Sequence, residues 1–381
     1  MDQPLEIAGA LFLVLALAGC GYLILAGLRT HAFFRARPVQ PPARPEAVTV
    51  LKPLYGEEPG LDAALATFFA QDYPGQTQVV FGVREAADPA RRAAERLAAA
   101  HPGRDVSVVV DPRLHGVNGK VSNLINMASR ARGPILVLSD SDIAVPSDYL
   151  TRVVQALEGE GVGLVTCPYY GKAQAGFWSK IAAMGLTFQF LPSVVTGVSL
   201  GLATPCMGST IALRRSVLQE IGGFEAFADL LADDYAIGEA VRKAGHRTLV
   251  APVLVAHGCA DASLTQMLAH ELRWARTVRG VDPAGFFGSG VTHAFVLALI
   301  ATLLLHGSPI ALAVLALATG VRLWMMRHVS QVMRPAKAPL WLFPLRDILS
   351  FGVFVASFFV TVVDWRGARF RVDRSGGLSG I

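Results

Sequence analysis

The sequence predicts an α/β fold: a mostly parallel, doubly wound sheet in the middle of the chain, with membrane helices near both ends. Strand-like and helix-like segments alternate through residues 46–258, an order typical of parallel sheets covered by helices on both faces. Apolar residues make up 52% of the chain, and its mean hydropathy is +0.45. Because soluble domains are usually less apolar, we expect one N-terminal and two to four C-terminal membrane helices.

The first apolar segment, Leu11–Leu28, is uncharged and close to the length that crosses a bilayer. Acidic residues precede it, at Asp2 and Glu6. Arginines follow it: Arg29, Arg35, Arg37 and Arg44. A signal peptide would carry its positive charge in front. We therefore predict a retained transmembrane helix over 5–28 whose C-terminal end faces the cytoplasm, and a Pro- and Arg-rich linker over 29–45.

The middle of the chain is predicted as a series of short strands and helices. The predicted strands are Val48–Leu51, Val79–Val83, Val106–Val110, Ile135–Ser139, Val162–Cys167, Thr210–Leu213 and Arg247–Ala251. The predicted helices are Leu61–Gln71, Pro89–Ala100, Val121–Arg130 and a helix from Asp233 that ends at Gly245. Gly176–Ala203 is apolar but contains Pro192. We expect this segment to form amphipathic pieces on the membrane surface rather than a span.

Two acids follow the apolar strand Ile135–Leu138, at Asp140 and Asp142. In open α/β sheets, ligands bind beyond the carboxyl ends of the strands. Two carboxylates there can bind Mg²⁺ or Mn²⁺, and such a cation takes phosphate oxygens as further ligands. The alternative is a polar strand end whose acids stabilise a turn.

Other polar residues follow the neighbouring strands. Lys52 follows the first strand, and Asp88 follows the second, directly before Pro89. An Asp before a Pro is ordinary helix-start chemistry, although a carboxylate that accepts a uracil N–H would look the same. Lys120 and Asn123 open the helix after the third strand. A lysine there opposes the helix dipole, so a bound diphosphate or simple solvent exposure must explain it.

Two adjacent acids, Asp233 and Asp234, begin a later helix. Acids are common in a first helical turn because the dipole favours them. Alternatively, one of them removes a proton from an attacking hydroxyl. Each raises the pKa of the other if both are sequestered, which would help such a base to work near neutrality.

The helix Leu264–Arg279 carries the sequence HELRW at 270–274. His270, Arg273 and Trp274 share one face at i, i+3 and i+4. Trp274 can form a wall of an acceptor pocket, and Arg273 can pair with a diphosphate. Alternatively, this is an amphipathic helix at the membrane interface. Both interpretations can hold together.

The C-terminal third contains apolar segments over His293–His306, Ile310–Met326 and Leu340–Val363. The segment Leu340–Val363 includes Arg346-Asp347. These two residues either form a mutually neutralised pair inside a broken helix or mark the interfacial start of the segment. A basic tail, 365–381, follows. A count of one plus three spans places this tail outside, against the positive-inside rule, so the last segment is a hairpin or lies in the interface.

Charge and cysteine usage narrow the classes of function. The net charge of +5 is modest, which favours lipid headgroups and a nucleotide diphosphate over nucleic acid as partners. The four cysteines show no paired spacing: Cys20, Cys167, Cys206 and Cys259. They indicate a reducing compartment without disulfides or a zinc site.

Taken together, these motifs resemble the ceramide glucosyltransferase-like membrane glycosyltransferases of family 21, which have the GT-A fold. The resemblance covers nearly the whole chain. Its landmarks are LKPLYG (51–56), ADPA (87–90), GKVSNLINM (119–127), SDSD (139–142), ADDY (232–235) and HELRW (270–274). Within the family, LADDYAIG, NLINM and HELRWARTVRG look most like the hopanoid-associated bacterial branch.

The resemblance implies a role for each matching residue. Asp88 would hold the nucleotide, and Asp140 with Asp142 would bind the diphosphate and its divalent cation. Asp234, beside Asp233, would be the catalytic base. HELRW would close over the site, with Arg273 and Trp274 acting in catalysis. The expected UDP-sugar residues are Lys52, Asp88, Lys120, Asn123, Asp140, His270 and Arg273. His270 departs from the family, whose members often have Gln or Arg there.

The expected function is that of an inverting, non-processive hexosyltransferase that acts on a membrane lipid. The first choice is N-acetylglucosamine transfer from UDP to the hopanoid bacteriohopanetetrol, and the alternative is glucose transfer to ceramide. A processive polysaccharide synthase ranks third, because His270 and the few spans argue against it. We expect a GT-A domain over 46–258, interfacial helices over 259–290 and a membrane region over 291–364. The expected location is a bacterial inner membrane, with the catalytic domain on its cytoplasmic face.

Overall fold

The computed structural model describes residues 3–35, 42, 45–333, 339–359, 362–365, 368–372 and 378–380, the last three ranges by backbone only. Residues 36–41 and 43–44 of the predicted linker, 29–45, lie outside the described residues, and its first residues continue the helix Gln3–Phe33. The chain forms two compact units. The sheet unit comprises Ala36–Ala175 and Leu200–Ala260, and the helical unit comprises Met1–Arg35, Gly176–Ser199 and Asp261–Ile381. Gly176–Ser199, predicted within the domain 46–258, therefore groups with the helices.

The strands are numbered in chain order. They are β1 (Val48–Pro53), β2 (Thr77–Val83), β3 (Asp105–Val110), β4 (Ile135–Leu138), β5 (Ile143–Ala144), β6 (Val162–Thr166), β7 (Tyr169–Ala173), β8 (Ile211–Arg214), β9 (Arg247–Val250), β10 (Val255–Cys259), β11 (Val362–Trp365), β12 (Ala368–Val372) and β13 (Leu378–Gly380).

The α-helices are numbered in the same way. They are α1 (Gln3–Phe33), α2 (Leu61–Ala66), α3 (Pro89–Ala100), α4 (Gly119–Ala128), α5 (Tyr149–Leu157), α6 (Phe177–Gly185), α7 (Leu191–Ser199), α8 (Arg215–Glu220), α9 (Asp233–Lys243), α10 (Leu264–Val281), α11 (Pro283–Gly288), α12 (Ala294–Leu304), α13 (Pro309–Val332) and α14 (Phe343–Ala356).

The sheet unit is built on a seven-stranded sheet of order β3-β2-β1-β4-β8-β6-β9. β8 runs antiparallel to both of its neighbours, and the other adjacent pairs are parallel. This confirms the predicted mostly parallel sheet. A second sheet of order β5-β10-β7 was not predicted. Its strand β5 is only two residues long, too short to show a period of two in the sequence.

Alternate residues of the central strands face opposite layers of helices, as a pleated strand requires. Val50 and Val137 pack in a core with the residues of α2, α3 and α5. Leu51 and Leu136 lie in the other core, with residues of α4, α8 and α9. All four side chains are buried. The sheet is therefore covered on both sides, and its strand ends are the edge available to a ligand.

Among its described residues, the helical unit has three helices that are long and apolar enough to cross a membrane: Gln3–Phe33, Phe177–Ser199 and Pro309–Val332. A fourth candidate is the pair Pro283–Thr292 and Ala294–Leu304, which is bent by 65°. α1 exposes large apolar side chains such as Ile7 and Val14, as a lipid-facing helix does. α14 ends at Ala356, so it is shorter than the predicted segment Leu340–Val363, in which residues 360–361 lie outside the described residues.

Pro192 does not break the second of these helices, so our expectation of separate pieces there is wrong. Its location on the membrane surface stays a prediction. A π-helical turn, Leu186–Phe190, joins α6 to α7. In a regular α-helix, the carbonyl of Phe188 would accept a hydrogen bond from the N–H of residue 192, which proline lacks. The Arg322 guanidinium donates to that carbonyl instead, at 2.7 Å. The wider turn and the substitute donor let the helix continue.

Arg346 and Asp347 do not neutralise each other, contrary to one of the two predicted alternatives. Both are buried on α14. Asp347 accepts two hydrogen bonds from Arg322, at 2.9 and 2.6 Å. Arg346 donates two to Glu271 of α10, at 2.5 and 3.0 Å. Each residue of the dipeptide is therefore paired with a different helix.

Candidate active site

The loop after β4 carries Asp140 and is held in place by hydrogen bonds from the buried side chain of Lys52. Lys52 lies on the neighbouring strand β1 and is fully buried. Its ammonium donates to the backbone carbonyl of Asp140 and to Ser139 Oγ at 3.3 Å, and it lies 4.3 Å from the centre of the Phe68 ring. Burial lowers the pKa of Lys52 to about 7, against the nearby carboxylates of Asp142 and Asp140. The structure thus places Lys52 beneath the loop, and its predicted contact with a UDP-sugar stays a prediction.

Lys120 joins two of the predicted acids. It is in the first turn of α4, and its Nζ lies 2.8 Å from Asp140 Oδ1 and 3.2 Å from Asp233 Oδ2. Burial alone would lower the pKa of Lys120, but Asp140, Asp233 and Asp234 together raise it above its usual value. The ion pairs with Asp140 and Asp233 therefore explain a lysine at this helix start without a bound phosphate.

Asp234 is held by backbone donors at the start of α9. Its Oδ2 accepts from the N–H of Gly208 at 3.0 Å, and its Oδ1 accepts from its neighbour Tyr235 at 2.8 Å. Burial, and then the adjacent Asp233, raise the pKa of Asp234 to about 6, while Lys120 opposes this. A carboxylate with this pKa is ionised at neutral pH yet basic enough to accept a proton.

Gly208 is at the centre of this group, and sequence reasoning missed it. Its N–H binds Asp234, and its carbonyl accepts from the Asp140 N–H at 3.1 Å. A Cβ at Gly208 would lie 2.5 Å from Asp140 Oδ2 and 3.2 Å from Lys120 Nζ. A side chain at position 208 would therefore have to displace the Asp140 carboxylate from its present position. The available signal was a glycine just before β8, the strand that pairs with β4.

His257 on β10 is the second residue that sequence reasoning missed. Its Nε2 lies 3.3 Å from Asp142 Oδ2, and its ring stacks on Tyr169 of β7. The other oxygen of Asp142, Oδ1, is buried and has no hydrogen-bond partner among the described residues. The sequence offered only a histidine in a short apolar run, because neither β7 nor β10 was predicted.

These residues fit a divalent cation in part. Across the described ranges, no group of three or more His, Cys, Asp or Glu side chains is arranged to hold a metal ion. The buried, unpartnered oxygen of Asp142 and the adjacent imidazole of His257 are groups that can serve as ligands of Mn²⁺. Asp140, held by Lys120, would complete the set only together with ligand or water oxygens.

Asp88 and Asn123 have structural roles at the neighbouring strand ends. Asp88 caps α3 by accepting from Ala90 N–H at 2.9 Å, and it also accepts from the N–H of Gly56. This confirms the helix-start interpretation. Asn123 donates to the carbonyl of Gly82 at the end of β2, at 2.8 Å. Binding of the nucleotide by either residue stays a prediction.

His270, Arg273 and Trp274 belong to the helical unit, on α10. The His270 ring packs on the indole of Trp274 with 4.2 Å between centroids, and its Nδ1 lies 3.5 Å from Asp261 Oδ1. The predicted shared face is therefore confirmed for His270 and Trp274. The predicted roles of all three residues in binding and catalysis stay predictions.

The sheet order, with one antiparallel strand beside β4 and acids beyond its carboxyl end, defines a GT-A-like α/β fold. A mannosyltransferase from Pyrobaculum calidifontis, solved in complex with GDP-Man and Mn²⁺, shares this fold with a TM-score of 0.51. The two chains are 22% identical over 93% of this chain and 99% of that one.

The profile of glycosyl transferase family 21 matches residues 11–378, so the chain belongs to that family. It is 25% identical to ceramide glucosyltransferase 1 of Caenorhabditis elegans over 272 residues, which are 70% of this chain and 58% of that protein. It is 26% identical to an N-acetylglucosaminyltransferase of Rhizobium meliloti over 277 residues, 67% of this chain and 63% of that protein. The match thus spans somewhat more than half of these relatives.

Proposed function

We propose that this chain is an inverting, non-processive glycosyltransferase that moves one sugar from a UDP-sugar to a hydroxyl of a membrane lipid. The observation that carries the proposal is the group formed by Asp140, Lys120, Asp233 and Asp234 at the carboxyl ends of the sheet strands. Acids with divided roles are what this reaction needs, because a proton must leave the acceptor while negative charge builds up on the diphosphate.

Asp234 is the proposed base. It accepts the proton of the lipid hydroxyl, whose oxygen forms a bond to the anomeric carbon while the bond to the diphosphate breaks. Attack from the face opposite the diphosphate inverts the configuration, so an α-linked donor gives a β-glycoside. The Gly208 and Tyr235 N–H groups fix the orientation of the Asp234 carboxylate, and its raised pKa suits proton acceptance near neutrality.

Lys120 and the loop after β4 are the proposed diphosphate side of the site. A divalent cation held by Asp142, His257 and Asp140 would neutralise charge on the departing UDP. Lys120 contributes a fixed positive charge beside Asp140 and keeps the acids from repelling the donor. Lys52, Asp88 and Asn123 are proposed to shape the nucleotide side, and His270, Arg273 and Trp274 to act on the diphosphate and the acceptor.

For the substrates, we propose UDP-N-acetylglucosamine and the hopanoid bacteriohopanetetrol. The motifs LADDYAIG, NLINM and HELRWARTVRG support this choice by resemblance, and the Rhizobium relative is named for N-acetylglucosamine transfer. The alternative, UDP-glucose and ceramide, is favoured by the names of other relatives. The apolar helices support a membrane location, which we propose is a bacterial inner membrane with the sheet unit on the cytoplasmic face.

A UDP-release assay tests the proposal directly. The purified full chain is supplied with Mn²⁺, with UDP-N-acetylglucosamine or UDP-glucose, and with hopanoid polyol, ceramide or no acceptor. Hopanoid-dependent release with the first donor is expected, and mass spectrometry should find one added sugar. Ceramide-dependent release with UDP-glucose would establish the alternative. A ladder of products would indicate a processive synthase, and no lipid-dependent release would contradict the proposal.

A further inference from the structure

The helix that carries HELRW is attached to α14 through a buried ion pair. Glu271 and Arg346 form two hydrogen bonds, and their side chains are 14% and 7% exposed. Such a pair adds little net stability on average, since desolvation offsets the attraction, but removing one partner leaves an uncompensated charge. The buried Glu271–Arg346 pair is therefore better explained by a role in orienting α10 than by a contribution to the stability of the fold.

Arg346 has little freedom to choose another position. A Cβ at Gly185 of α6 would lie 2.5 Å from its Nη2, so the guanidinium fills the space that this glycine leaves open. Arg346 is thus a fixed point to which α10 is attached.

The attachment sets the rotation of α10 about its own axis. Residues two apart in a helix of 3.6 residues per turn point about 200° away from each other. Glu271 and Arg273 therefore lie on opposite faces. A second contact holds the far end of α10, where the Arg279 guanidinium lies over the Phe358 ring at 5.5 Å. With Glu271 held toward α14, Arg273 must project from the opposite side.

We propose that Glu271, through Arg346, is a positioning residue that orients Arg273 for sugar transfer. The inference rests on the proposed function, since it assigns Arg273 and Trp274 a role in that reaction. Neither Glu271 nor Arg346 contacts substrate in this assignment. Glu271 acts only by fixing the direction in which α10 presents its other face.

A double-mutant cycle separates orientation from simple support of the fold. Glu271→Gln keeps the size of the side chain but removes its charge, and it should lower kcat on the order of tenfold to a hundredfold, as small misplacements of reacting groups do. Arg273→Ala should lower kcat as well. If Glu271 acts through Arg273, the double variant is about as slow as Arg273→Ala alone. Multiplied losses would overturn the proposal. Glu271→Asp, which keeps the charge, should recover part of the rate.

Two controls accompany the cycle. Asp347→Asn breaks the neighbouring ion pair with Arg322 and should lower the melting temperature, but its loss of kcat should multiply with that of Arg273→Ala. Glu95→Gln breaks an exposed pair with Arg91 on α3 and should leave kcat unchanged. Non-additivity with Asp347→Asn as well would show a general loss of fold and would also overturn the proposal.

A readout that needs no activity keeps this proposal separate from the proposed function. Hydrogen exchange of the full chain in nanodiscs, followed by mass spectrometry, should show faster exchange over Leu264–Val281 in Glu271→Gln than in the wild type or Glu95→Gln. Unchanged exchange in α10 would overturn the positioning role. If the wild type transfers no sugar to any acceptor, the proposed function fails, and the exchange measurement still decides whether the ion pair fixes α10.

Discussion

Asp234→Asn should give a folded protein that no longer transfers sugar. Asparagine has one carbonyl oxygen, so it keeps only one of the two hydrogen bonds from Gly208 and Tyr235, a loss of about 1–3 kcal/mol. In the opposite direction, the rise in the pKa of Asp234 from 3.8 to about 6 means that its ionised form disfavours the native state by about 3 kcal/mol at pH 7, relative to an unperturbed carboxylate. Asparagine avoids this cost, so the free energy of unfolding should change by less than about 2 kcal/mol.

The rate should respond far more strongly than the stability. Loss of a general base lowers kcat by about a hundredfold to ten-thousandfold, while UDP-sugar affinity stays nearly unchanged because Asp234 acts on the acceptor. UDP release measures the first quantity and binding calorimetry the second. Asp229→Asn is the matched control, since the Asp229 carboxylate also accepts a backbone N–H, from Val117, but is exposed. Near-normal turnover in Asp234→Asn would refute the assignment of the base.

The same carboxylate predicts two pH dependences. The transfer rate of the wild type should rise as the pH increases through about 6, where Asp234 loses its proton, and then level off. Because its pKa is higher in the native than in the unfolded state, Asp234 favours the native state most at low pH. This contribution is lost as the pH rises from about 4 to about 6. The melting temperature of Asp234→Asn, measured as a function of pH, should lack that loss. Parallel curves of melting temperature against pH for the wild type and the variant would contradict this prediction.

Three further variants test the surroundings of the site and the buried charges of the helices. Gly208→Ala places a methyl group 2.5 Å from Asp140 Oδ2, so kcat/KM should fall about tenfold or more; steady-state kinetics beside a melting curve would expose a mere folding defect. Lys120→Met removes the positive charge that lowers the pKa of the proposed base, so the midpoint of the pH–rate profile should move above about 6. An unmoved midpoint would contradict the electrostatic role. Arg322→Met leaves Asp347 buried without its partner and should lower the free energy of unfolding by about 3–5 kcal/mol. Adding Asp347→Leu should recover most of this loss in denaturant titrations.

The sheet could be predicted because its signals are local. β1, β2, β3 and β4 are apolar runs between helices, and α3 begins at Pro89 with Asp88 as its cap, as the dipeptide indicates. Polar residues at the carboxyl ends of parallel strands were expected to lie near one edge. The pairing of Asp140 with Lys120 follows from that topology, although in the sequence alone solvent exposure is a simpler explanation of Lys120 than a bound diphosphate.

The residues that were missed depend on contacts between distant segments. Gly208 matters because β8 pairs antiparallel with β4, and nothing in the residues near Gly208 reveals this pairing. His257 reaches Asp142 only because β10 pairs with β5, and strand β5 is two residues long. A period of two cannot be detected over so short a strand. The partners of Arg346 and Asp347 could not be predicted from the sequence either, because Glu271 and Arg322 lie on other helices.

The proline in the second apolar helix makes two distant positions interdependent. Pro192 leaves the Phe188 carbonyl without its helical donor, and Arg322 supplies one while it also binds Asp347. Replacing Pro192 by alanine restores a backbone N–H and so makes the hydrogen bond from Arg322 to the Phe188 carbonyl redundant. Replacing Arg322 alone leaves both the Asp347 carboxylate and the Phe188 carbonyl without their hydrogen-bond donor. In sequences that keep the proline, position 322 should therefore tolerate almost no residue but arginine, whereas sequences without it have a route by which this buried cation can be lost.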